Sequence, residues 1–182
     1  NKLTAREALG LPNNCQIIGC AGRLEVEKGQ AVLIEALPFL PADVHLAFAG
    51  DGSQRQGLEQ LVESLHLSHR VHFLGALDCM PRFYQSLDLF CLPSYFEGLS
   101  LVILEAQACE VPAVVTNVGA STEALCPRTG TVVEPGSAFA MAQALELKLD
   151  KPSSGNPRQF VKQSGDLRTT ARNYAALRHR FL

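Results

Sequence analysis

The chain is 182 residues long, 47% hydrophobic and 19% charged, with a formal net charge of −2. That length can bury one sizeable core with room for an appendage, and the interspersed charges leave no basic footprint for nucleic acid and no polybasic membrane patch. No apolar run approaches the roughly 20 residues that cross a bilayer and the six cysteines form no C-x-x-C pair, so the reading is a soluble chain of a reducing cytosol.

In chain order, "NKLTAREALGLP" leads into "QIIGCA" (16–21), an apolar run that reads as a strand. It runs into "GRLEVEKG" (22–29), where Gly22 permits a sharp turn and Arg23 and Lys28 set two cations near one strand end. The plain reading is two solvated surface cations. The alternative is that together they neutralise a diphosphate, the guanidinium offering a fork of donors and the ammonium a point charge. A helical segment (29–40) and a strand (44–50) follow, ending in "GDG", whose Gly50 and Gly52 leave room for close ligand approach. Then come a helix (52–65), the strand "VHFLG" (71–75), a short helix (80–87) and a strand (88–93).

The stretch "EGLSLVILEA" (97–106) is more pointed. From Leu101 to Cys109 the chain is apolar on nearly every side, which predicts a buried helix with Glu105 and Gln107 as its strongly polar members. An unpartnered carboxylate there costs several kcal/mol, so Glu105 must reach solvent, a donor or a ligand. Ser100 is expected to cap this helix, whose first-turn N–H groups form an anion site. Glu105 lies about 7.5 Å further along the helix axis, the offset between a diphosphate and its ribose hydroxyls. Strands at 112–116 and 130–135 and a helix at 137–149 complete a pattern in which strand and helix alternate. That is the mark of an α/β, doubly wound parallel sheet, which binds ligands at the carboxyl ends of its strands. After Asp150 the polar segment 151–165 reads as a linker or weakly held loop, and a last helix carries an apolar stripe (Leu167, Ala171, Tyr174, Leu177) that must dock on something.

Taken together, "GRLEVEKG", "GDG", "DLFCLPSYFEGLSLVILEA" (88–106), "PAVVTNVGASTE" (112–123) and "GTVVEPG" (130–136) resemble the carboxyl-terminal, donor-binding domain of retaining GT-B glycosyltransferases, family 4. The hallmark of that family, Glu, seven residues, Glu, is matched by Glu97 and Glu105. The resemblance covers about residues 5–150 and implies a Rossmann-like donor domain over 1–150, then a linker and a crossing helix over 151–182. It also implies an amino-terminal acceptor domain to which nothing here corresponds, so the chain is expected to be a fragment or to work with a partner. By the same resemblance, Arg23 and Lys28 hold and stabilise the nucleotide diphosphate, and Glu97 binds donor-sugar hydroxyls and counts with them as catalytic. Gly98, Leu99, Ser100 and Leu101 offer backbone groups, Glu105 takes the ribose diol, and the base sits near Gly75, Ala76 and Leu77. The expected ligand is a nucleotide-sugar donor, with no metal or other cofactor. The expected acceptor is a cell-envelope glycolipid or polysaccharide. The expected location is the cytoplasm, with peripheral association of the full-length enzyme at the inner face of the membrane.

Three departures from the family pattern stand out: Ser100 where glycine is frequent, Gln107 where methionine is common, and Ala120 in "VGAS" in place of a glycine. Other residues have plainer readings. His66, His69 and His72 straddle a helix end and a strand start, so no one face presents all three. Asp88 shapes a turn, Tyr95 and Phe96 pack beside the site, Glu123 starts a helix or lines the site, and Tyr174 is a docking contact. Two other functions stay open: a nucleotide-binding or assembly module without catalysis, and a GT-B sugar-nucleotide epimerase, against which the spacing of Glu97 and Glu105 argues. A dehydrogenase is disfavoured because no G-x-G-x-x-G follows the first strand.

Overall fold

Six short strands rich in Ile, Val, Leu and Phe pair in parallel: β1 (Gln16–Ala21), β2 (Val44–Ala49), β3 (Val71–Gly75), β4 (Leu89–Leu92), β5 (Ala113–Thr116) and β6 (Gly130–Val133). Each lies within two residues of the run expected from sequence. The computed structural model describes residues 1–151 and 154–164, so the expected docking stripe at 167–177 lies outside the described residues. The strands stand in the order β3-β2-β1-β4-β5-β6, which is the doubly wound arrangement.

Helices cover both faces, which is why the inner strands are apolar throughout instead of alternating. On one face Ile18, Phe48, Leu89 and Val114 meet α2 (Gln30–Ala36), α3 (Arg55–Ser64) and α6 (Ala138–Asp150) through Leu33, Leu58, Val62 and Leu145. On the other, Ile17, Ala47, Phe90 and Val115 meet α4 (Met80–Gln85) and α5 (Leu101–Ala108) through Phe83, Tyr84, Ile103 and Ala106. Each fully buried Leu, Ile or Phe on these faces contributes roughly 1.5–3 kcal/mol.

Two helices were not anticipated. The opening segment folds into α1 (Lys2–Leu9), capped by the Asn1 side chain at its start and stopped by a left-handed Gly10. The segment read as a linker contains α7 (Pro157–Ser164), which packs on α5. Its start carries ordinary signals, Asn156 Oδ1 accepting from the Gln159 N–H at 2.9 Å and a proline in the first turn. The flanking Gly and Ser residues hid them.

Candidate functional site

The strand order reverses between β1 and β4, so the loops that leave their carboxyl ends diverge and open a crevice. One wall is residues 22–29. Its backbone is tied down: Gln30, almost fully buried, donates from Nε2 to the Arg23 carbonyl at 2.8 Å, and the Leu24 N–H donates to Asp51 at 3.0 Å. Ser53 donates to Glu25 from its N–H (3.1 Å) and its hydroxyl (2.6 Å), and these bonds hold the Glu25 carboxyl below its usual range. Three of the expected glycines meet here. The Gly22 N–H donates to Ala49 at 2.9 Å and the Gly50 N–H to Gly75 at 2.8 Å. Gly50 has a φ of 134°, and a Cβ on it would collide with the Gly22 carbonyl oxygen, so the close approach of the β1 and β2 loops excludes any larger residue. Gly52 rests in the same way against the backbone of Leu24. Ala76 continues the shelf as an exposed residue, with Leu77 half-buried beside it.

The other wall is residues 93–100. Lys28 Nζ reaches across the crevice to Glu97 Oε1 at 2.8 Å, joining the two loops over 69 positions of sequence. The Ser94 hydroxyl donates to the same oxygen at 2.7 Å, and Ser94 is in turn held by the Thr116 hydroxyl, which donates to its carbonyl at 2.6 Å. Glu97 Oε2 carries no hydrogen bond among the described residues, although the side chain is only 7% exposed. Cys20 lies beneath the pair, and burial, with a smaller push from Glu97, raises its thiol to about 12, so it stays neutral. Gly119, at φ 51°, lets the loop after β5 sit directly on the Glu97 carbonyl, and the Ala120 N–H donates to Gly98 at 3.3 Å.

The helix after this wall departs from expectation in two ways. Ser100 occupies the N-cap position of α5, but its side chain makes no cap hydrogen bond, and the residue is buried. The helix is also not buried all round: Leu99 and Leu101 are exposed at its start, and Ile103, Ala106 and Gln107 face the core. Gln107 is fully buried and satisfied, donating to Ala124 at 2.7 Å and accepting from the Cys126 N–H at 2.6 Å. Glu105 finds a donor, as required: the Tyr84 hydroxyl gives it a hydrogen bond at 2.7 Å on Oε2. Phe96 packs little. It is 75% exposed at the mouth of the crevice, and Tyr95 is half-exposed beside Gly29 and Gly136.

Arg23 and Lys28 are therefore parted in this state. Lys28 is spent on Glu97, whereas Arg23 is 72% exposed and, among the described residues, pairs with Glu27 alone at 3.4 Å. Sequence reasoning missed Ser94, Tyr84, Glu25, Ser53 and Gln30. Ser94 stood inside a quoted motif; nothing marked Tyr84. His72 faces neither His66 nor His69 but His45 on the neighbouring strand, with Nδ1 of His45 3.1 Å from Nε2 of His72. A hollow of about 340 Å³ lies elsewhere, lined by residues such as Arg128 and Phe160 and by none of the carboxylates described above.

The model of the family described as glycosyl transferases group 1 matches residues 1–167. The chain belongs to that family. It is 31% identical, over 96% of its length, to the lipopolysaccharide core biosynthesis mannosyltransferase LpsB of Rhizobium meliloti, of which it covers 52%. The crystal structure of Anabaena Alr3699/HepE in complex with UDP and glucose superposes with a TM-score of 0.84 at 26% identity, covering 96% of this chain and 50% of that one. The carboxyl-terminal domain of a group 1 family glycosyl transferase, LpcC, from Francisella tularensis superposes at 0.80 with 26% identity, covering 92% of this chain and 94% of that domain. The fold is thus the Rossmann-like sheet of a GT-B glycosyltransferase half, and the chain spans about half the length of the curated relatives it matches.

Proposed function

We propose that this chain is the donor-binding half of a retaining glycosyltransferase, which as a whole moves a sugar from a nucleotide to a cell-envelope glycolipid or polysaccharide. The observation that carries the reading is the Lys28–Glu97 bridge over the switch-point crevice, with Glu105 on the helix that leaves its far wall. Only a ligand with an anionic centre and hydroxyls on both sides uses all of these groups. A diphosphate entering the crevice meets Lys28, the exposed guanidinium of Arg23 and the first-turn N–H groups of α5, none of them capped by Ser100. Glu97, released from part of its bond to Lys28, takes the sugar hydroxyls on one side; Glu105 takes the ribose diol on the other, and the Gly75–Leu77 shelf takes the base.

Transfer breaks a glycosidic bond to a leaving diphosphate, so the charge that develops falls where these fixed donors already point. No metal is needed in this scheme, and the chain carries no D-x-D pair to hold one. The acceptor is supplied by the other half of the enzyme, so the 182 residues bind donor without turning it over. We place the whole enzyme in the cytoplasm, peripheral to the membrane; among the described residues no helix is long and apolar enough to cross one.

Calorimetry of the chain against UDP, GDP and ADP tests the reading. One of them is expected to bind at micromolar to submillimolar concentration, unaffected by chelator. Failure of all three at millimolar concentration, or a chelator-sensitive affinity restored by manganese, overturns it.

A further inference from the structure

Glu97 and Glu105 share a feature that the donor reading does not require. Each has one carboxylate oxygen held by a hydroxyl from a buried residue, Ser94 for the first and Tyr84 for the second, and the other oxygen without a hydrogen bond among the described residues. Ser94 sits in the same loop as its partner. Tyr84 does not: it comes from α4, 21 positions before Glu105, and is 1% exposed.

The phenol ring has little freedom. It packs edge-on against Phe83 (centroids 5.6 Å apart) and Phe90 (5.8 Å), so its hydroxyl is aimed by the aromatic core of that sheet face. Glu105 by contrast is exposed, and its long side chain left alone would sample many rotamers. The rigid partner therefore orients the flexible one. Burial, and then the carboxylate itself, push the Tyr84 hydroxyl well above its ordinary range, so it remains a donor wherever Glu105 is ionised. A donor on Oε2 leaves Oε1, without a hydrogen bond among the described residues, as an acceptor on a carboxylate whose orientation is set before any ligand arrives. The same helix is reached directly from the Gly75–Leu77 shelf, so α4 holds the base-side loop and the diol-side carboxylate in one frame.

We infer that Tyr84 is a positioning residue that orients Glu105 and so sets the site's preference for nucleotides with an intact ribose diol. The inference rests on the donor-binding reading above. A purely structural role makes a different prediction: removing the hydroxyl would lower stability and leave ligand preference alone.

The test compares UDP, GDP and ADP with their 2′,3′-dideoxy forms by calorimetry on the whole chain. The wild type is expected to favour the ribose form of its nucleotide by about tenfold or more, and Tyr84→Phe to weaken that form about five- to tenfold, the net size of one ordinary hydrogen bond, with the dideoxy form unchanged. Combined with Glu105→Ala, Tyr84→Phe should have no further effect on affinity. Equal losses for both forms, an unchanged preference, or an additive double variant each overturn the inference. So does a wild type that binds nucleotides without regard to the diol, a result that leaves the donor reading standing. A wild type that binds none of the nucleotides overturns both.

Discussion

The two ends of the sheet use the same charged residue types to opposite purposes. At the amino end Arg6 and Arg70 are almost fully buried and most of their donor nitrogens are bonded to protein oxygens. Arg6 gives Nε to the Ser86 carbonyl at 2.8 Å, Nη1 to the Cys15 carbonyl at 3.0 Å and Nη2 to Asp88. Arg70 gives Nε to Val44 at 2.9 Å and Nη2 to Pro41 at 2.6 Å. Asp88, expected to shape a turn, instead gathers Lys2, Arg6 and the Ile17 N–H at 2.7 Å, and so fastens α1 to the start of β1. At the carboxyl end Arg23 has its backbone pinned and its side chain almost unspent, and the two glutamates each keep one oxygen unbonded among the described residues. An arginine whose donors end on carbonyls holds the fold together. On the function proposed above, one whose donors are almost unspent among the described residues is kept for a ligand.

The largest effect that sharpens this contrast belongs to the buried end. Arg6→Ala leaves three main contacts broken and Asp88 without its best partner, and should cost about 3 kcal/mol, read as a shift of the urea midpoint at constant slope. Nucleotide affinity measured below the transition should not move. A loss of affinity as large as the loss of stability would erase the distinction between the two ends.

Arg23→Ala is the converse. Its one ion pair among the described residues is exposed and long, so stability should change by no more than about 0.5 kcal/mol. Affinity for the nucleoside diphosphate should fall about tenfold, and that for the corresponding nucleoside should stay the same. Equal losses for diphosphate and nucleoside would remove the arginine from the phosphate site.

The smallest effect concerns the edge of the sheet, where His45 and His72 meet. Burial lowers both pKa values, His72 and the nearby Arg70 and His69 lower His45 further, and Asp43 opposes them. The folded protein therefore binds fewer protons there than the unfolded chain, whose histidines titrate near 6.5. The stability present at pH 7 should be lost progressively as the pH falls below that value and through the lower folded values. Melting temperature recorded from pH 7.5 to 5 should decline in the wild type and decline less in His72→Gln. Parallel curves would show that the pair does not govern acid sensitivity.

Much of the candidate site's layout was legible because motif residues lie close in sequence: Glu97 and Glu105 flank one helix start, Gly22 and Gly50 directly follow strands and Gly75 ends one. What was not legible came from side chains that meet only after folding. Lys28 and Arg23 looked like one cation pair because they are neighbours in a loop, yet Lys28 turns to a partner 69 positions away. Ser100 looked like a cap because Ser before an apolar run usually is, yet in the fold it holds the N-cap position, buried, without a cap hydrogen bond. In α7 the local caps were present but were outweighed by the surrounding Gly, Pro and Ser.

By itself the sequence determined the six strands, most of the helices between them and the family motifs, because each rests on hydrophobic period and turn chemistry that act over a few residues. Only the tertiary structure decided that β1 lies beside β4, that Lys28 therefore spans the crevice to Glu97, and that Tyr84 aims its hydroxyl at Glu105. Those contacts join segments whose separation is set by strand order and helix packing, and no local periodicity encodes which side chain will stand across a gap that the fold itself creates.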